Sequence, residues 1–184
     1  MRSYTSQLVS RWKYNEGELN MKWKLFVFIL SLVIISCSDT GTSPEGRDLN
    51  FKFSYGVGGK NVLNTFDNTY TKDLIIDGTI TVPFSLSESD FQQIITKMLQ
   101  IDFFSYPDTF LISTGDTVCY ITPHSTYNFE VNYKSNIKHL YWSDSIVSQD
   151  SSAVKLREFI NLIVDIIQSN PMYSHLPPAR AGYL

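Results

Sequence analysis

The side chains of this chain with chemistry to offer are two thiols, Cys37 and Cys119, and three imidazoles, His124, His139 and His175. A scatter of carboxylates joins them, notably Asp67, Asp73 and Asp77. A thiol becomes a nucleophile when a neighbouring base takes its proton. Cys119 and His124, with Ser125 beside the imidazole, set a nucleophile and a base close together in sequence. They define one alternative function, a small hydrolase or thiol enzyme. Against it, the sequence has no GxSxG elbow to shape an oxyanion hole. Cys119, within Val118-Cys119-Tyr120-Ile121, reads as a small residue buried in a strand, and His124 after Pro123 as a loop histidine. No histidine falls into HxxxH, HExxH or a Cys/His ligand spacing, so neither a metal nor a cofactor is assigned.

Two further motifs look like sites and are better explained as turns. Gly56-Val57-Gly58-Gly59-Lys60 is the nearest approach to a phosphate loop. A Walker loop needs Ser or Thr after the lysine and a helix behind it, whereas Asn61 follows here and strand patterns flank the run. Asp67-Asn68-Thr69 with Asp73 and Asp77 supplies oxygen ligands on neighbouring turns, but an EF-hand loop also requires Gly and a Glu at its twelfth position. These carboxylates read as solvated turn residues.

The most specific pattern lies near the start. Met21-Lys22-Trp23-Lys24 is a short basic run, and Leu25 to Ile35 is an apolar one, interrupted by Ser31. It is too short for a bilayer span of about 20 residues and fits the apolar region of a secretory signal. Ile34-Ile35-Ser36-Cys37 then gives way to the polar Ser38-Asp39-Thr40. This stretch resembles the lipobox of bacterial lipoprotein signal peptides. The resemblance implies cleavage between Ser36 and Cys37. It also implies that Cys37 carries fatty acyl chains of the palmitate type and becomes the first residue of the mature chain. Two acyl chains hold a protein to a bilayer stably where one does so only marginally. The protein would then sit in the cell envelope, lipid-anchored outside the cytoplasm, and Cys119 would be left without an intrachain partner. Ser38 resembles the residue found there in lipoproteins sent on to an outer membrane.

Residues 1–20 do not fit that scheme, and the expectation is that translation starts at Met21. Glu16-Gly17-Glu18 requires the codons GAR-GGN-GAR, a purine-rich stretch suited to ribosome binding. Without residues 1–36 the chain has ten basic and sixteen acidic residues, a net charge of −6. An acidic domain with no Lys/Arg cluster excludes nucleic acid as a partner.

Ser38 to Asn50 is rich in Ser, Thr, Gly, Pro and Asp and reads as a tether, with a reach of roughly 20 Å. A single domain then follows over residues 51–184. Phe51, Phe53, Tyr55 and Val57 alternate with polar residues, as in a half-buried strand. Asn61 to Phe66 pairs back, Tyr70 to Ile76 is a further strand, and Asp77-Gly78 is a two-residue hairpin turn into residues 80–86. Pro83 argues for an edge. Ser87 with Asp90 makes a capping box, and the apolar spacing predicts a helix over 88–101. Cys119 to Ile121, Tyr127 to Tyr133 and Ile137 to Trp142 are strands. A last helix starts near Ser151 and stops at Asn170-Pro171. The tail Met172 to Leu184 carries four large apolar residues and is expected to dock.

The fold class expected is α+β, a mainly antiparallel sheet in the order strands, helix, strands, helix, with two helices packed on one face. With the aromatic pair Phe103-Phe104 after the first helix, this order resembles small lipoproteins of bacterial envelopes, a likeness that carries no catalytic residue across. Rings concentrate on the second strand group. If the face opposite the helices is open, Tyr127, Tyr133, Tyr141 and Trp142 form an aromatic surface for an envelope protein or glycan. The reading is therefore a non-catalytic binding or scaffolding module. Its alternatives are the Cys119/His124 enzyme and an inhibitor of an envelope enzyme acting through a loop from Thr114 to Ser125.

Overall fold

Alternation of ring and polar side chain builds the centre of the sheet. A computed structural model of the protein describes residues 48–112 and 119–183. The chain divides into two units, Met1–Gly46 and Arg47–Leu184, and the described residues belong to the second. That unit is a mixed α+β fold with a seven-stranded, mostly antiparallel sheet and three helices.

β1 (Leu49–Tyr55), β2 (Asn61–Asn64), β3 (Thr69–Asp73) and β4 (Thr79–Pro83) form a meander. α1 (Glu88–Gln100) and a 3-10 turn at Phe103–Ser105 follow. Next come β5 (Thr109–Phe110), β6 (Tyr120–Tyr133) and β7 (Asn136–Ile146), then α2 (Ser151–Ser169) and the short α3 (Pro171–Ser174). The sheet order is β4-β3-β2-β1-β6-β7-β5, so the two hairpin groups join through the long-range pair β1–β6, and only β5–β7 is parallel.

The β1–β6 register sets Phe53 opposite Phe129 and Phe51 opposite Val131. The Phe53 and Phe129 rings stack at 4.5 Å between centroids. Phe159 of α2 stacks on Phe129 at 5.7 Å, and Phe91 of α1 meets Phe51 edge-on at 6.5 Å. Leu49, Leu63, Tyr70, Leu140 and Trp142 extend the same buried cluster. The capping box is present: Ser87 accepts from the Asp90 amide, and the Asp90 carboxylate accepts from the Ser87 amide.

Four local expectations need correction. Leu49 is buried in β1, so residues 49 and 50 belong to the sheet rather than to the tether. The β3–β4 connection is the five-residue turn 74–78, not a two-residue hairpin. Asp73 pairs with Thr79, and the carbonyl of Gly78, a residue at φ 76°, accepts from the Leu74 amide at 2.8 Å. The stretches around Cys119 and Tyr127 form one strand, β6, with an irregularity: five steps from Tyr120 to Ser125 face two on β7. Such a bulge re-aims side chains, and it leaves Cys119 exposed rather than buried. The two-residue β5 had no pattern of its own.

One buried polar group gives the fold a pH signature. The Tyr55 and Tyr70 hydroxyls are hydrogen-bonded at 2.7 Å beneath the Tyr173 ring. Burial pushes the Tyr55 phenol up to about 12, and burial together with Tyr55 pushes Tyr70 in the same direction. The unfolded phenol titrates near ~10. The folded state therefore holds these protons more tightly, and the stability they confer is complete below that pH and lost as pH rises through about 12. The urea midpoint is expected to fall above pH ~10, and less steeply in Tyr55→Phe. An identical alkaline limb in the variant would assign the effect elsewhere.

Candidate functional site

Strand alternation sends every second side chain of the sheet away from the ring cluster. On β6 and β7 these are Asn128, Glu130 and Asn132, opposite Tyr141, His139 and Ile137. Thr109 of β5 stands beside Tyr141. Lys52 and Ser54 of β1 pair with Glu130 and Asn128 and continue this outer face toward β2. Tyr141 is 45% exposed, a phenol platform ringed by an amide, a hydroxyl, an imidazole and a carboxylate. Its backbone is fixed by a bond from the Tyr141 amide to the Asp108 carbonyl at 2.8 Å. Lys138, opposite Val131 and so on the other side of the alternation from His139 and Tyr141, donates to Asp108 at 2.6 Å, and that ammonium holds the carboxyl below its ordinary range. The arrangement offers donors, acceptors and a ring face, which is chemistry for binding.

The four rings singled out from the sequence do not share this surface. Trp142 is 1% exposed and stacks among Phe110, Tyr127 and the Arg157 guanidinium. Tyr127 lies opposite Trp142, half-buried against the core, and Tyr133 packs on Phe104. Only Tyr141, one step out of register with them, faces outward. The neighbours that complete its surroundings, Asn128, Glu130 and His139, were missed. The signal was in the sequence: they are the polar half of the same alternation that marked the rings.

Cys119 is exposed and His124 half-buried at the β6 bulge, and no hydrogen bond joins them among the described residues. The turn carboxylates are engaged separately. Asp67 accepts from Asn64, Asp73 from the Ile75 amide and Tyr183, and Asp77 from Arg180. Among the described residues no group of three His, Cys, Asp or Glu is placed to hold a metal. Gly56, Gly58 and Gly59 all have positive φ and close a hairpin turn through a bond from the Gly59 amide to the Gly56 carbonyl. Ser36 and Cys37, and residues 114–118 of the stretch from Thr114 to Ser125, lie outside the described residues, while Tyr120 to Ser125 belong to β6 rather than to a loop. No described helix is long and apolar enough to cross a membrane.

A groove of about 630 Å³ runs between the start of α1 and the end of α2, with Leu86, Leu162 and Ile166 among its lining. Its polar groups are largely spent on structure. Asp90 serves the capping box, and Asn170 donates to the Ser85 carbonyl while accepting from the Met172 amide. These bonds make it a seam that locks two helix ends together. No protein-family model, curated protein or solved structure matches this chain.

Proposed function

We propose that this protein is a membrane-anchored lipoprotein of the cell envelope whose domain is a non-catalytic binding or scaffolding module. The observation that carries the reading is the order of residues 21–40: basic start, eleven-residue apolar run, Ser36, Cys37, then polar residues. Acylation of Cys37 would hold the protein to its bilayer, and the acidic mature chain would be kept from anionic headgroups by charge. The two long helices lie on one face of the sheet, a reading supported by Phe91 on Phe51 and Phe159 on Phe129, rings that share that face. The other face, centred on Tyr141, is then the surface for an envelope protein or glycan.

The first test is the intact mass of the native protein extracted from a membrane fraction. The expected mass is that of residues 37–184 plus two or three acyl chains, and Cys37→Ser is expected to move the protein to the soluble fraction. An unlipidated mass in the soluble fraction would overturn the anchor. For the surface, Tyr141→Ala with Asn128→Ala is expected to lower cross-linking to the envelope component caught by the wild-type domain roughly tenfold, an effect typical of an aromatic hot spot. Its urea midpoint should stay unchanged. Undiminished cross-linking would remove this face from the reading.

A further inference from the structure

The last residues lie on the β3–β4 turn in the manner of a bound peptide. Pro177 to Ala179, Ala181 and Gly182 are exposed, and the segment holds on through Arg180 and Tyr183, three residues apart. The Arg180 guanidinium donates two bonds to the Asp77 carboxylate. Its backbone bridges Ile75 in parallel, with the Arg180 amide bonded to the Leu74 carbonyl at 3.3 Å. The Tyr183 hydroxyl donates to Asp73 and accepts from Lys60 Nζ at 2.9 Å, with that ammonium 5.0 Å from the ring centre. Asp73 and Lys72 are the buried charged residues of the described domain, and the C-terminal residues cover both: Tyr183 reaches Asp73, and the Tyr173 ring sits 4.5 Å from Lys72 Nζ.

Two features bear on how this segment is held. Ile75 holds φ 65°, a left-handed conformation that a β-branched residue avoids, and Ala181, next to the bridged Arg180, holds φ 68°. Backbone strain of this kind persists where binding geometry demands it. The Arg180–Asp77 and Lys60–Tyr183 contacts are also solvent-exposed and each weak in water, while Tyr183 meets Asp73 in a part-buried bond. The segment should therefore lift at far less cost than unfolding the domain.

We propose that the turn 73–78 with Lys60 is a peptide-binding site for an extended segment of a partner polypeptide carrying Arg and Tyr three residues apart. Residues 180–183 occupy it in cis as an autoinhibitory ligand. Asp77 selects the guanidinium by its paired bonds, Asp73 and Lys60 select the phenol hydroxyl, and the Leu74–Ile75 backbone takes the strand. A tethered segment competes at an effective concentration in the millimolar range, so a partner must outbid it or meet the site when the segment is displaced. This inference rests on the reading of the domain as a binding module. It is independent of the anchor and of the Tyr141 face.

The test uses the full chain and the end-blocked peptide PPARAGY, followed through the amide signals of Asp77 and Gly78. The variant Arg180→Ala with Tyr183→Phe is expected to bind the peptide saturably and at least about tenfold more tightly than the wild type does. Adding Asp77→Ala should abolish that binding. In the unmodified protein the Arg180 amide should exchange with solvent far faster than the Phe53 amide, a readout that needs no variant. Absence of peptide binding at millimolar concentration, equal binding by the wild type, or equal protection of the two amides would each overturn the proposal. So would a concentration-dependent wild-type dimer that the peptide dissolves, because it would give the site to a second copy. Loss of peptide binding with Tyr141-dependent cross-linking intact would sink this site and leave the module reading standing.

Discussion

Phe103→Ala is expected to destabilise the domain by about 3–5 kcal/mol, the cost of deleting a fully buried ring and leaving its cavity. Phe103 is wholly buried and meets four rings: Phe104, Tyr106, Phe129 and Phe159, at 6.0, 6.4, 5.3 and 5.5 Å. It sits in the 3-10 turn after α1, entered through Asp102 in the left-handed conformation. Through Phe129 and Phe159, both distant in sequence, the ring thus ties that turn to β6 and to α2. Small domains are stable by only about 5–15 kcal/mol, so the loss is a large share of the total. Phe103→Leu, which keeps more of the volume, should cost about half as much or less. The check is the urea midpoint of both variants. Similar midpoints for Phe103→Ala and the wild type would mean that the four-ring contact is not what holds the turn.

Arg157→Ala is expected to cost about 2–4 kcal/mol, because it strands a largely buried carboxylate. Arg157 donates two bonds to Asp144, at 2.8 and 2.6 Å, and the Asp144 side chain is 13% exposed. The same guanidinium donates to the carbonyls of Ser148 and Ile146, at and just past the end of β7, and lies 5.2 Å from the Trp142 ring. The Asp144 carboxylate in turn raises the affinity of Arg157 for its proton. A buried indole donor, Trp142 Nε1, has no partner among the described residues, so the stacked guanidinium offsets a real cost at this spot. Arg157→Lys should recover less than half of the loss, since a single ammonium cannot span two carboxylate oxygens and two carbonyls. The double variant Arg157→Ala with Asp144→Ala should cost less than the sum of the single changes. Strict additivity would show that the two groups are not coupled.

Much of the local structure was legible because it depends on neighbours in the chain. The period-two run from Phe51 marked β1, and Ser87 with Asp90 marked the start of α1. Between β6 and β7 the turn is made by Lys134 and Ser135, both at positive φ. Pro83 closes β4, an edge strand of the sheet, as its missing donor required. The α2 stripe from Leu156 to Ile167 followed from helical spacing, with Asp150 as the cap. Failures came where the outcome is set by register. Tyr141 and Trp142 are adjacent and equally aromatic, and only the pairing of β7 with β6 decides which of them turns outward. Cys119 has the composition of a strand residue, and the irregularity beside it decided its exposure.

The sequence by itself determined most of the secondary elements, the acidic balance of residues 37–184 and the pattern around Cys37, since propensity, charge and motif order reside in neighbouring residues. It also foresaw a docked C-terminus from its apolar content. Only the tertiary structure decided that β1 pairs with β6 at the centre of the sheet, which rings are buried, and that Arg180 reaches an aspartate 103 residues away. Those outcomes depend on contacts between segments distant in the chain. They are chosen by how all the apolar faces are buried at once, and no local pattern encodes that choice.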